Sequence, residues 1–175
     1  LEVAPDDGIT TGPNVTSSSL FITNSPPTAA TLLITPTNPV AEYDDLVCSV
    51  LVPSTDADND PVSYTMTWLL DGNNYTNSTA TEWPGDTILY TDVQVGDTWT
   101  CIATPTDGID DGVTSTATVT ITECTDGSIA QCAAQSCLEL FQNGQSNGDG
   151  GYFLNPNGTN VDEYYCDMQN GGWTG

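Results

Sequence analysis

Four stretches of the chain alternate apolar and polar residues with a period of two. Tyr64, Met66, Trp68 and Leu70 alternate with Ser63, Thr65 and Thr67, and Ala117, Val119 and Ile121 alternate with Thr116, Thr118 and Thr120. The same period runs through Leu46, Cys48, Val50 and Val52 and through Trp99, Cys101 and Ala103. Successive side chains of a strand point to opposite faces, so the pattern predicts antiparallel sheets with one buried and one wet face. Asp71-Gly72-Asn73 supplies a hairpin turn. Residues 28–122 read as seven short strands. The 28 Thr, 16 Gly and 11 Pro agree with that reading, and the predicted fold class is all-β.

The chain also repeats itself. Pro5-Asp6-Asp7-Gly8-Ile9-Thr10-Thr11-Gly12 lines up with Pro105-Thr106-Asp107-Gly108-Ile109-Asp110-Asp111-Gly112. The match continues, with a one-residue slip, from residues 15–23 to residues 114–122, giving a period of about 100. Residues 1–24 are therefore expected to form the last two strands of a preceding repeat, with Val3, Ile9, Leu20 and Ile22 on an apolar face. After the linker Asn24-Ser25-Pro26-Pro27, residues 25–123 are expected to form a complete repeat. From residue 124 to residue 175 the chain turns to Gly, Asn and Cys and reads as a separate small subdomain.

Charge narrows the chemistry. The 175 residues include 24 Asp plus Glu and no Lys, Arg or His, for a net charge of −24. No imidazole base, Schiff-base lysine or Ser-His pair can form. Nothing neutralises phosphates, so nucleic acid and anionic lipid are excluded as partners. No run of 18 apolar residues predicts a membrane span. Leu1-Glu2-Val3-Ala4-Pro5 lacks the basic and apolar regions of a signal peptide, so a mature product or an internal fragment is expected.

Six cysteines, Cys48, Cys101, Cys124, Cys132, Cys137 and Cys166, allow complete pairing, while a cytosolic chain would carry the same number as thiols or metal ligands. No CxxC pair speaks for zinc. Sequons at Asn14, Asn74, Asn77 and Asn157 agree with export.

Cys48, Trp68 and Cys101 resemble the disulfide-plus-tryptophan pin of the immunoglobulin fold, and Asp97-Thr98-Trp99-Thr100-Cys101 resembles that family's approach to its second cysteine, with Trp99 where Tyr is usual. With Pro26-Pro27-Thr28 and the Asp-rich stretch 54–64, residues 1–122 look like tandem Ig-like or cadherin-like repeats of large prokaryotic surface proteins. The resemblance implies an Ig-like β-sandwich with Cys48 bonded to Cys101. Further on, Ser136-Cys137-Leu138-Glu139-Leu140, Gly151-Tyr152-Phe153-Leu154, Tyr164-Tyr165-Cys166-Asp167-Met168 and Gly171-Gly172-Trp173 resemble the opening of a fibrinogen-related C-terminal domain. That family bridges the pair corresponding to Cys137 and Cys166, which leaves Cys124 and Cys132 to pair across a short loop. Its ligand pocket and calcium site lie further along and map onto no residue here.

Two acidic clusters carry the candidate chemistry. Asp56, Asp58 and Asp60 alternate in one loop, and Asp107, Asp110 and Asp111 crowd another. In an Ig-like sandwich both loops share the end where the linker enters. The six carboxylates are therefore expected to converge there and to hold Ca²⁺, a hard cation that takes six to eight oxygens; solvated Asp-rich turns are the plain alternative. A glycosidase acid and base is not expected, because these loops lack the large apolar neighbours that raise a carboxyl pKa. Trp68, Trp99 and Trp173 are expected in cores, and Trp83 under its own loop.

These expectations add up to a non-enzymatic extracellular, cell-surface segment. A calcium-stiffened Ig-like stalk presents a fibrinogen-like module for adhesion to a glycan or matrix. The alternative is a structural filament subunit in which identical copies polymerise by strand complementation.

Overall fold

The computed structural model describes residues 2–19 and 21–174, so Leu20 of the expected apolar face lies outside the described residues. Twelve strands and one short α-helix are present among them: β1 (Glu2–Val3), β2 (Val15–Thr16), β3 (Thr31–Thr35), β4 (Leu46–Val52), β5 (Ser63–Leu70), β6 (Asn73–Tyr75), β7 (Thr87–Ile88), β8 (Thr98–Thr106), β9 (Ser115–Thr120), α1 (Cys137–Gln142), β10 (Gly150–Leu154), β11 (Asp162–Asp167) and β12 (Trp173–Thr174). The chain is all-β in character, and every strand pair is antiparallel.

Seven strands build the central unit as two sheets, β3-β4-β7 and β6-β5-β8-β9. Alternation along β5 and β8 sends Tyr64, Met66, Trp68, Trp99, Cys101 and Ala103 inward, where they meet Leu32, Ile34, Leu46, Cys48 and Ile88 of the other sheet in one core. Each large apolar side chain buried this way contributes about 1.5–3 kcal/mol. Cys48 on β4 is bonded to Cys101 on β8, joining the two sheets covalently across a separation of 53 residues. Trp68 and Trp99 meet edge to face at 6.2 Å, and Tyr75 stands edge-on to Trp99 at 4.8 Å. The Trp99 indole N–H has no hydrogen-bond acceptor, so no corner bond replaces the one a tyrosine would make.

Local chemistry explains the connections. Asp71 and Gly72 both take positive φ, at 50° and 79°, so that Leu70 pairs with Asn73 across a two-residue turn. Along β4 the alternation stops at Val50. Val52 is exposed, opposite a register shift between Thr31 and Leu32.

The hairpin of β1 and β2 has the same register as the one formed by β8 and β9. Glu2 pairs with Thr16 and Val3 with Val15; Ile102 pairs with Thr116 and Ala103 with Ser115. The offset is 100 on both strands. The side-chain match of residues 15–23 runs instead at an offset of 99, so strand pairing and side-chain likeness differ by one residue there. Val3, Ile9, Val15, Phe21 and Ile22 are all exposed.

Beyond residue 123, β10-β11-β12 and α1 enclose a small core of Ala134, Cys137, Leu140, Tyr152, Leu154, Cys166 and Met168. Ser136 caps α1 by accepting the Glu139 N–H. Cys137 is bonded to Cys166 and Cys124 to Cys132. Trp173, expected in the core, is 71% exposed, because it lies on the two-residue edge strand β12, paired only with β11.

Candidate functional site

The linker makes hydrogen bonds to both acidic loops. The Asn24 amide donates to Asp107 Oδ2 at 2.8 Å and to Asp110 Oδ2 at 2.9 Å. The Ser25 N–H donates to Asp58 Oδ2 at 2.8 Å. Gly112 packs on Pro27 so closely that a Cβ there would strike the Pro27 carbonyl. Adjoining bonds run from Thr28 N to the Thr55 carbonyl and from Ser115 Oγ to the Ala30 carbonyl.

Each loop is also folded by one of its own carboxylates. Asp107 Oδ1 accepts the N–H groups of Ile109 and Asp110, and Asp56 Oδ1 accepts those of Asp58 and Asp60. Such turns let an Asp side chain stand in for a backbone carbonyl. The Asp110 N–H, the Asn24 amide and the Ile109 N–H hold the Asp107 carboxyl below the usual carboxylate range. Asp111 forms an isolated antiparallel bridge with Thr106 through the backbone.

The six carboxylates are thus divided between two turns. Among the described residues no group of three or more Asp, Glu or Cys is placed to hold one metal ion. Their oxygens suit a hard cation, but Asp107, Asp110 and Asp58 already face N–H donors of the linker. Asn24 and Ser25 were legible only as linker. The signal that marks them is an amide and a small polar residue directly before Pro26-Pro27.

A third organising carboxylate, Asp86, had no sequence signal beyond a turn-like Pro84-Gly85-Asp86. It is fully buried. It accepts five hydrogen bonds of 2.7–3.0 Å, from the N–H groups of Thr81, Glu82 and Trp83 and the hydroxyls of Thr81 and Thr87. Burial raises its pKa, but the donors, led by the Trp83, Thr81 and Glu82 N–H groups, outweigh burial and leave it lowered. The loop is then fixed to the core: the Trp68 indole donates to the Gly85 carbonyl at 2.8 Å. Trp83 lies half-buried, edge-on to Tyr64 at 5.0 Å.

The sequon residues Asn14, Asn74, Asn77 and Asn157 are all exposed. All six cysteines are in disulfides, which points to an oxidising environment. Among the described residues no helix is long and apolar enough to cross a membrane. Comparison of the chain with protein-family models, curated proteins and solved structures gives no match.

Proposed function

We propose that the chain is a segment of an extracellular surface protein in which Ig-like sandwiches in tandem act as a stalk and a fibrinogen-like subdomain follows them toward a site of adhesion. The observation that carries this reading is the linker clasp, Asn24 on Asp107 and Asp110 with Ser25 on Asp58. A clasp at the entry of a sandwich limits how the preceding segment swings, which a spacer needs and a freely jointed linker lacks. The repeated hairpin register at an offset of 100 supports the tandem arrangement. Three disulfides support export.

Calcium enters this proposal as a second fastener. An ion would have to turn Asn24 away from Asp107 and Asp110 before it could bridge the two turns. Calorimetric titration tests this: a saturable heat at Ca²⁺ concentrations near the millimolar class of extracellular sites is expected, and its absence removes calcium from the reading.

The stalk itself is tested by pulling single molecules from both ends. The central sandwich should resist as one cooperative unit and release only residues outside the Cys48–Cys101 loop, with the loop's length appearing after reduction. Gradual extension without a force peak would overturn the reading. The exposed apolar residues of the β1–β2 hairpin favour the filament alternative, and fibres in electron micrographs of concentrated protein would select it.

A further inference from the structure

The sandwich and the small subdomain are joined between Ile121 and Gly127. Ile121 is the last residue that the sandwich holds: it is buried in that core, its N–H donates to the Asp97 carbonyl and its carbonyl accepts the Gly96 N–H, both at 2.8 Å. Gly127 is fixed in the subdomain. Its N–H donates to the Cys132 carbonyl at 2.7 Å, its carbonyl accepts the Phe153 N–H at 2.9 Å, and a Cβ on it would lie 3.2 Å from Leu140 and Tyr152. Among the described residues no strand of one unit pairs with a strand of the other, and the two cores share no residue. By its backbone anchors alone the joint would span the five residues 122–126.

The Cys124–Cys132 disulfide shortens it. Cys132 is buried, and its N–H donates to the Ile129 carbonyl at 3.0 Å. The disulfide extends that anchorage to Cys124 and leaves two residues, Thr122 and Glu123, both exposed, between the units. Each residue brings two soft backbone dihedrals, so the joint turns about roughly four of them instead of roughly ten.

The three disulfides differ in how open they are to attack. Cys48, Cys101, Cys137 and Cys166 are all buried, whereas Cys124 is only half-buried. Exchange requires a thiolate to reach a disulfide sulfur, so access sorts the three bonds.

We propose that Cys124–Cys132 is a site of thiol–disulfide exchange with a dithiol reductant, and that its redox state sets whether the joint is two residues long or five. A thiolate of the reductant attacks Cys124 Sγ, and the S–S bond breaks with its electron pair on Cys132 Sγ, which takes up a proton. The reductant's second thiol gives up its proton and attacks the mixed disulfide. Cys124 leaves as a thiolate and is protonated, so the reductant ends as its own disulfide and the chain with two thiols. Such a joint serves a stalk and a filament alike.

Mass mapping and NMR of the full chain test this. Graded dithiothreitol in native buffer, quenched with N-ethylmaleimide, should alkylate Cys124 and Cys132 at about tenfold lower reductant than the other four cysteines. Chymotrypsin supplies the peptides, since the chain has no Lys or Arg for trypsin. After that selective step ¹⁵N relaxation should show the tumbling times of sandwich and subdomain moving further apart, with the β10 and β11 signals in place. Cys124→Ser combined with Cys132→Ser should reproduce the change without reductant. Gly-Ser-Gly inserted after Thr122 should reproduce it with the disulfide intact. Reduction of a buried disulfide first or of all three together, unchanged tumbling on reduction, or an insertion without effect would overturn the proposal. So would loss of the β10 and β11 signals on reduction, which would make the bond a staple of the subdomain fold.

Discussion

Asp7 and Asp107, one hundred residues apart, fold their turns with the same pair of bonds. Each accepts through Oδ1 the N–H groups two and three residues ahead, yet in the described structure only Asp107 also receives an amide, from Asn24. Both carboxyls are held below the usual range, Asp7 by the N–H groups of Thr10 and Ile9 and Asp107 by those of Asp110 and Ile109 with Asn24 between them in weight. Asn24→Ala should therefore raise the Asp107 pKa and leave Asp7 unmoved. Carboxyl ¹³C titration of both residues in one sample measures the difference, with Asp7 as internal control.

Asp86 is the sharper test of stability. Removing a buried carboxylate with five donors strands those donors, so Asp86→Ala should cost about 3 kcal/mol in urea unfolding. The pH dependence follows from the lowered pKa. The contribution is present above the ordinary Asp value near 4 and is lost as pH falls through the lower folded value. The wild-type chain should lose stability in acid more steeply than the Asp86→Ala variant.

Tyr75 behaves in the opposite sense. Its hydroxyl donates to Asp92, and burial, that hydrogen bond and the Asp92 charge push its pKa up to about 12. A raised folded value means that its contribution is complete below the unfolded value near 10 and disappears as pH climbs toward 12. Ultraviolet titration should show the Tyr75 phenolate forming at lower pH in Asp92→Asn than in the parent chain.

Replacing both Cys48 and Cys101 with Ala should lower stability by about 4 kcal/mol, the chain-entropy value for a loop of this length. Denaturant midpoints of the variant and of the oxidised parent give the difference.

Alternation exposed β5, β8 and β9 in the sequence because each is half wet and long enough to show a period. It left β7 silent, since Thr87 and Ile88 are both buried and two residues carry no period. The acidic loops were legible as Asp-rich turns. Their true partners were not, because Asn24 acts through an amide that no charge count reveals. Asp86 was hidden more deeply. Its donors are mostly backbone N–H groups of its own loop, and a buried Asp after Pro84-Gly85 reads no differently from a solvated one.

The turns at Asp7 and Asp107 share one further property. Each lifts an isoleucine into solvent at its tip, Ile9 at 89% and Ile109 at 70% exposure, on the same Asp-Gly-Ile sequence. A molecule that grips one tip would find a second of matching shape on the same chain. Two such footholds on one polypeptide raise the effective concentration for the second contact, so a bivalent binder would gain avidity from a monovalent surface too small to hold it alone.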